Sequence, residues 1–249
     1  MKKISAIFWI VSGGLLVSLL INVILLSQLR AFYAERLLAQ ITPVGPPNTP
    51  RLAGETNHFA TTVMLFGDSR LAVWNPAPPR GIRLVNAAIG GTTTAQLRLR
   101  LPALLDEFKP DFLVLQAGIN DLKLLGLRPE LEPVLIEQTK ANLLAMIQEA
   151  RRHQTKVLLL PVWPPGPPEW QRRLFWNPHV AEAVAGLNRE LLAQINEPDT
   201  RVVDLLAAAG VKPGPADYRD ALHFQPAVYD RLTPALWQCL EKNFNPPPR

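Results

Sequence analysis

At 249 residues with a formal net charge of +5, the chain is long enough for one domain of ordinary size, with a sizeable core, plus appendages. Much of the charge excess sits at the amino end: residues 51–249 carry 22 Lys/Arg against 20 Asp/Glu, too even a balance for a nucleic-acid-binding face, and the pairs Arg151-Arg152 and Arg172-Arg173 read as solvated surface. Cys239 is the only cysteine, which excludes an intrachain disulfide, a cysteine-based zinc site and an N-terminal lipoprotein cysteine; its spacing from Leu236 and Leu240 places it on the apolar stripe of a helix as a structural thiol.

Residues 4–29 run 26 positions without a charge. As a helix they would span about 39 Å, more than the ~30 Å hydrocarbon core of a bilayer. No pair of small residues between Ser27 and Thr42 has the spacing of a signal-peptidase site, so the segment reads as an uncleaved transmembrane anchor. Lys2, Lys3 and the terminal amine slightly outweigh Arg30 and Arg36, which orients the N-terminus to the cytoplasm and the rest of the chain outside it. Gly14, Ser18 and Asn22 fit either helix pairing or a lipid-facing helix. Thr42–Pro50 holds four prolines, a glycine and no charge, the composition of a semi-rigid spacer. The expected organisation is therefore an anchor and juxtamembrane segment over 1–41, a Pro-rich spacer over 42–58, one globular domain over 59–245 and a Pro-rich tail over 246–249.

Within the domain, TTVMLF from Thr61 to Phe66 is an apolar, β-branched run closed by Gly67, the pattern of a buried strand. Ile82–Ala87, Asp111–Ala117, Thr155–Pro161 and Arg201–Leu205 supply four more. Helical patterns fall between or after them, near Thr93–Phe108, Glu130–His153, Pro178–Ile195 and Ala227–Phe244. Strands and helices that alternate in this way predict a parallel five-stranded sheet covered on both faces, with ligands bound beyond the carboxyl ends of the strands.

Four short strings lie at or return to that edge: Gly67-Asp68-Ser69, Gly90-Gly91, Gly118-Ile119-Asn120-Asp121 and Asp220-Ala221-Leu222-His223. A chain of this length meets GDS or GxND by chance roughly once in twenty, and DxxH about once in three. Their joint order, with three of them closing strand-like runs, is what carries weight. Ser69 can serve as nucleophile, His223 as its base and Asp220 as the carboxylate that orients the imidazole, while Gly91 and Asn120 offer N–H groups to an oxyanion. Of the other histidines, His58 precedes the first strand, His153 ends a charged helix and His179 opens another, and none has an Asp or Glu placed as Asp220 is to His223. Asp68 and Asp121 read as turn-fixing or loop-fixing groups. GGTTT lacks the Walker A and GxGxxG patterns of phosphate loops.

These residues resemble those of the SGNH hydrolases, the GDSL family of esterases and lipases, over about residues 61–232. NAAIGGTTT from Asn86 to Thr94 is similar to the family's second block, whose glycine falls on Gly91. The resemblance implies a three-layer α/β/α, flavodoxin-like domain, a Ser69-His223-Asp220 triad, an oxyanion hole of the Ser69 and Gly91 backbone N–H groups with the Asn120 side chain, and no metal or organic cofactor. Arg70 departs from the family name, which expects leucine; it either meets an acidic substrate or points outward. Trp74, and Trp163 and Trp170 in the loop PVWPPGPPEW, either touch substrate or cap the core.

The expected activity is acyl-ester hydrolysis by a serine hydrolase tethered to a membrane, acting on short O-acyl groups such as acetyl on envelope glycans. A lipase, lysophospholipase or thioesterase, an O-acyltransferase using the same triad, and a non-catalytic tethered binding module are the alternatives. The partners expected are the acyl-ester substrate, glycan or lipid, and the membrane, with no nucleic acid.

Overall fold

The computed structural model describes residues 2–41, 50–53, 60–126, 128–170, 178–195 and 199–244. Most of the expected spacer, His58 and the Pro-rich tail lie outside the described residues. The chain divides into two units, Met1–Pro46 and Pro47–Arg249.

The first unit is built on α1 (Lys2–Ile41). Its stretch Phe8–Leu29 spans 22 residues with a mean hydropathy of 2.3 and no buried share, long and apolar enough to cross a bilayer. Asn22 donates from Nδ2 to the Ser18 carbonyl at 2.8 Å, so its amide finds a partner within its own helix.

The second unit opens with β1 (Arg51–Ala53) and β2 (Thr61–Gly67), then a short helix, α2 (Ser69–Ala72), and β3 (Ile82–Asn86). α3 (Thr94–Phe108), β4 (Phe112–Gln116), α4 (Ile119–Leu122), α5 (Glu132–Arg152) and β5 (Lys156–Leu159) follow. The unit ends with α6 (His179–Gln194), β6 (Thr200–Val202), α7 (Leu205–Ala208) and α8 (Pro226–Phe244). The sheet order is β1-β3-β2-β4-β5-β6. The last five strands in this order are mutually parallel, and they reproduce the flavodoxin-like order, whose switch point lies between β2 and β4.

Alternation along the strands feeds two cores. Met64, Phe66, Leu113, Leu115, Val157 and Leu159 point to the face where Leu97 and Leu101 of α3, Leu143 and Ile147 of α5 and Leu187 of α6 pack. Val63, Leu65, Val114 and Leu158 point to the other, against Leu205 of α7 and Leu232 and Leu236 of α8. Both faces are covered, so these strands are apolar at successive positions.

Two elements differ from the sequence expectation. The sheet gains a sixth, antiparallel edge strand, since Arg51–Ala53 pairs with β3, Leu52 opposite Val85; these three residues fall in the stretch expected to be spacer. The last parallel strand is shorter than Arg201–Leu205, because Asp204 accepts from the Ala207 N–H at 3.1 Å and starts α7 at Leu205. A side chain that caps a helix ends the strand before it.

Candidate active site

β2 and β4 meet closely where they end. A Cβ on Gly67 would run into the Gln116 carbonyl, so only glycine fits there. The chain then turns into α2, capped by Asp68, whose side chain accepts from the Arg70 N–H at 3.0 Å. Ser69 is therefore the first residue of a helix, where a backbone N–H has no intrahelical acceptor.

β3 ends on Asn86, 2% exposed. Its amide donates to the Leu71 carbonyl at 3.0 Å and the Trp74 carbonyl at 2.8 Å, and its oxygen accepts from Ala88 N–H at 3.1 Å. Asn86 thus ties the end of α2 to the turn that leads to Gly90-Gly91. No role for it was read from the sequence; the available signal was a polar residue closing an apolar strand. Gly91 has φ +78, a left-handed conformation that suits glycine, and a Cβ there would meet nothing within 4 Å. At Gly90 a Cβ would come 3.7 Å from the Ser69 Cβ, which puts this turn beside the serine.

β4 ends at Gly118, φ +130, and α4 carries Asn120, 7% exposed. One Asn120 amide hydrogen goes to the Thr92 carbonyl at 2.9 Å, and its oxygen accepts from Lys123 Nζ at 3.0 Å. This fixes which way the amide faces and, among the described residues, leaves its second N–H uncommitted. Asp121 accepts from the Thr94 N–H at 3.0 Å and the Thr94 hydroxyl at 2.6 Å, at the start of α3. Burial pushes its carboxyl up to about 6. It fixes a loop, as its place in the sequence suggested.

The loop before α8 is closed by a bridge between Tyr218 and Phe224. Within it Asp220 Oδ1 accepts from the Leu222 and His223 N–H groups at 2.8 and 2.9 Å, an Asx-type turn. His223 Nδ1 lies 2.8 Å from Asp220 Oδ2, and Nε2 lies 2.7 Å from Ser69 Oγ. Burial works to raise the Asp220 carboxyl, but the two N–H donors and the imidazole outweigh it and hold the group below its ordinary range. The Pro161–Trp170 loop clasps this turn: Gly166 N–H donates to the Ala221 carbonyl at 2.9 Å and the Tyr218 hydroxyl to the Pro164 carbonyl at 3.1 Å.

The structure brings Ser69, His223 and Asp220 into one hydrogen-bonded chain, with Gly91 and Asn120 on the adjoining turns. It does not bring Arg70, Trp74 and Trp163 to substrate. All three are 1–2% exposed, and the expectation that they contact substrate is corrected: the two indoles pack with Phe224 and Tyr229 in an aromatic cluster, and the guanidinium is spent on backbone carbonyls. Trp170 is 73% exposed. Two of the other histidines also lie beside carboxylates. His153 Nε2 is 3.2 Å from Asp106 and His179 Nδ1 3.3 Å from Glu182. Neither faces a serine, because Ser69 is the only serine beyond Ser27.

A hydroxyl, an imidazole and a carboxylate joined in this order, at the carboxyl edge of a doubly wound parallel sheet, define the class of serine hydrolases. Residues 66–231 match the GDSL-like lipase/acylhydrolase family. The chain belongs to this family and is an ester-hydrolysing enzyme. It is 36% identical to esterase TesA of Pseudomonas aeruginosa over 64% of this chain and 70% of that protein. Among solved structures, TesA is similar at 30% identity and a TM-score of 0.52, over 74% of this chain and all of that one. The native aryl esterase of M. smegmatis is similar in fold, with a TM-score of 0.58 at 17% identity, over 74% of this chain and 100% of its own.

Proposed function

We propose that the chain hydrolyses acyl esters with Ser69 as nucleophile, and that it removes short O-acyl groups, chiefly acetyl, from envelope glycans. The single observation that carries the chemistry is the hydrogen-bond chain from Ser69 Oγ through His223 to Asp220. His223 Nε2 takes the hydroxyl proton as Oγ adds to the ester carbonyl. The oxyanion is held by the Ser69 and Gly91 N–H groups and the uncommitted Asn120 N–H. The imidazolium then protonates the leaving alcohol, and water, deprotonated by His223, releases the acid from the acyl-enzyme. Asp220, held ionised, stabilises the imidazolium in both halves.

Packing of Arg70 and Trp163 into the core supports a short acyl group, because these side chains fill space instead of lining a channel. The apolar α1 supports a membrane tether, and the weak excess of Lys2 and Lys3 over Arg30 and Arg36 supports a domain outside the cytoplasm. Both readings are tested on the full-length protein. A fluorophosphonate is expected to label Ser69, and aryl esters are expected to turn over best at two to four acyl carbons, with acetate released from an O-acetylated glycan. An optimum at eight carbons or more would replace deacetylation by a lipase, and faster acyl transfer to a sugar than to water would make the enzyme an acyltransferase. Absence of labelling in folded protein would leave a tethered binding module.

A further inference from the structure

Arg70 is a large charged side chain that the proposed mechanism leaves unused. A guanidinium is permanently charged and planar, with five N–H donors in a fixed fork. Burying it is costly unless those donors are occupied and the charge is offset. Arg70 is 1% exposed. Its Nε donates to the Leu222 carbonyl at 2.9 Å, one Nη to the Trp163 carbonyl, and the other Nη to the Pro164 carbonyl at 3.5 Å. Asp68, also 1% exposed, lies two residues back and offsets the charge.

The carbonyl taken by Nε belongs to the peptide unit Leu222–His223. The N–H of that same unit donates to Asp220 Oδ1 at 2.9 Å. The unit is therefore held at both edges, by Arg70 on its oxygen and Asp220 on its nitrogen, and rotation about it would swing the His223 ring away from Ser69. The other carbonyls lie in the Pro161–Trp170 loop, which itself grips Ala221 and Tyr218. One side chain, on the residue after Ser69, thus keys α2 to two loops. A leucine there, as the family name has it, could make none of these bonds.

We infer that Arg70 is a positioning residue for the reaction: its guanidinium sets the Leu222–His223 peptide so that His223 Nε2 meets Ser69 Oγ. This rests on the Ser69-His223-Asp220 reading. A purely structural role would lower stability and leave turnover of the folded protein intact, whereas a positioning role lowers turnover without weakening substrate binding.

The experiment uses full-length wild type, Arg70→Lys, Arg70→Gln and Arg70→Met, with Leu143→Ala, a truncation in the core beneath α5, as a stability control. Arg70→Lys keeps the charge beside Asp68 but loses the fork. Tm, kcat and KM on phenyl acetate, the rate of fluorophosphonate labelling at Ser69, and the low-field proton resonance of His223 Nδ1–H are measured. In folded Arg70→Lys, kcat is expected to fall about 10- to 100-fold with KM within about twofold. Labelling should slow in proportion and the low-field resonance should move, while Leu143→Ala lowers Tm at unchanged kcat. Should Arg70→Met fail to fold, the lysine and glutamine variants carry the test. Wild-type turnover, labelling and resonance in folded Arg70→Lys would overturn this inference alone. Absence of labelling in wild type would remove the triad reading and this inference with it.

Discussion

Asp220 and Asp121 stand at the same edge of the sheet, and each accepts hydrogen bonds from backbone N–H groups. They end on opposite sides of the usual carboxylate range. Asp220 is partly open to water and faces the His223 imidazole besides two N–H donors, and its carboxyl is held low. Asp121 is more deeply buried; its donors come from Thr94, and the charge that bears on it is the like-charged Asp68, so burial wins and its carboxyl rises to about 6. A shared residue type and a shared edge do not make a shared role. The charge it faces and access to water decide which carboxyl is held low beside the imidazole and which is pushed up while it anchors a helix start.

The largest loss is expected where the reactive hydroxyl itself is removed. Ser69→Ala is expected to lose about 10⁴-fold or more in kcat with Tm near wild type, and wild-type-like turnover of an aryl acetate by this variant would remove the assignment. Asp220→Asn follows at about 10³- to 10⁴-fold in kcat, because an amide can hold the imidazole in the wrong tautomer; a loss of under tenfold would make Asp220 a loop anchor like Asp121.

Asp121→Asn removes the carboxyl that burial pushes up. Since the folded carboxyl lies at about 6 against 3.8 in the unfolded chain, the folded state binds the extra proton between those values, and wild type gains stability as pH falls through that window. The unfolding free energy of wild type should therefore rise relative to Asp121→Asn by up to about 3 kcal/mol from pH 7 to pH 4, with kcat at pH 7 changed less than tenfold. A flat difference in denaturant unfolding across that range would show that Asp121 is not held against its charge. Asn120→Ala is the smallest change, about 10²-fold in kcat, with KM for a short ester little altered.

Much of the site was legible because its chemistry is carried by residue types at fixed local spacing. Asp220 and His223 are three apart, so one turn can join them, and Gly67 and Gly118 close apolar runs that can only be strands buried on both faces. The inward turn of Arg70 was not legible. Its acceptors are carbonyls of Trp163, Pro164 and Leu222, between 93 and 152 residues away in sequence, and a backbone carbonyl leaves no mark in residue identity. Asn86 was hidden for the same reason. The edge strand Arg51–Ala53 was missed because three residues are too few to show a period and pair through backbone groups alone.

By itself, then, the sequence determined the parallel α/β sheet, the apolar α1 and the identity of the groups that can form a hydroxyl–imidazole–carboxylate chain, because hydrophobic period and short-range turn chemistry are properties of consecutive residues. Only the tertiary structure decided that Trp74 and Trp163 belong to the core and that the cation beside Ser69 faces inward. It also decided which of two carboxyls is held low and which is pushed up. Those outcomes depend on burial and on the charges that distant segments bring together, and both exist only once the sheet has closed the space around them.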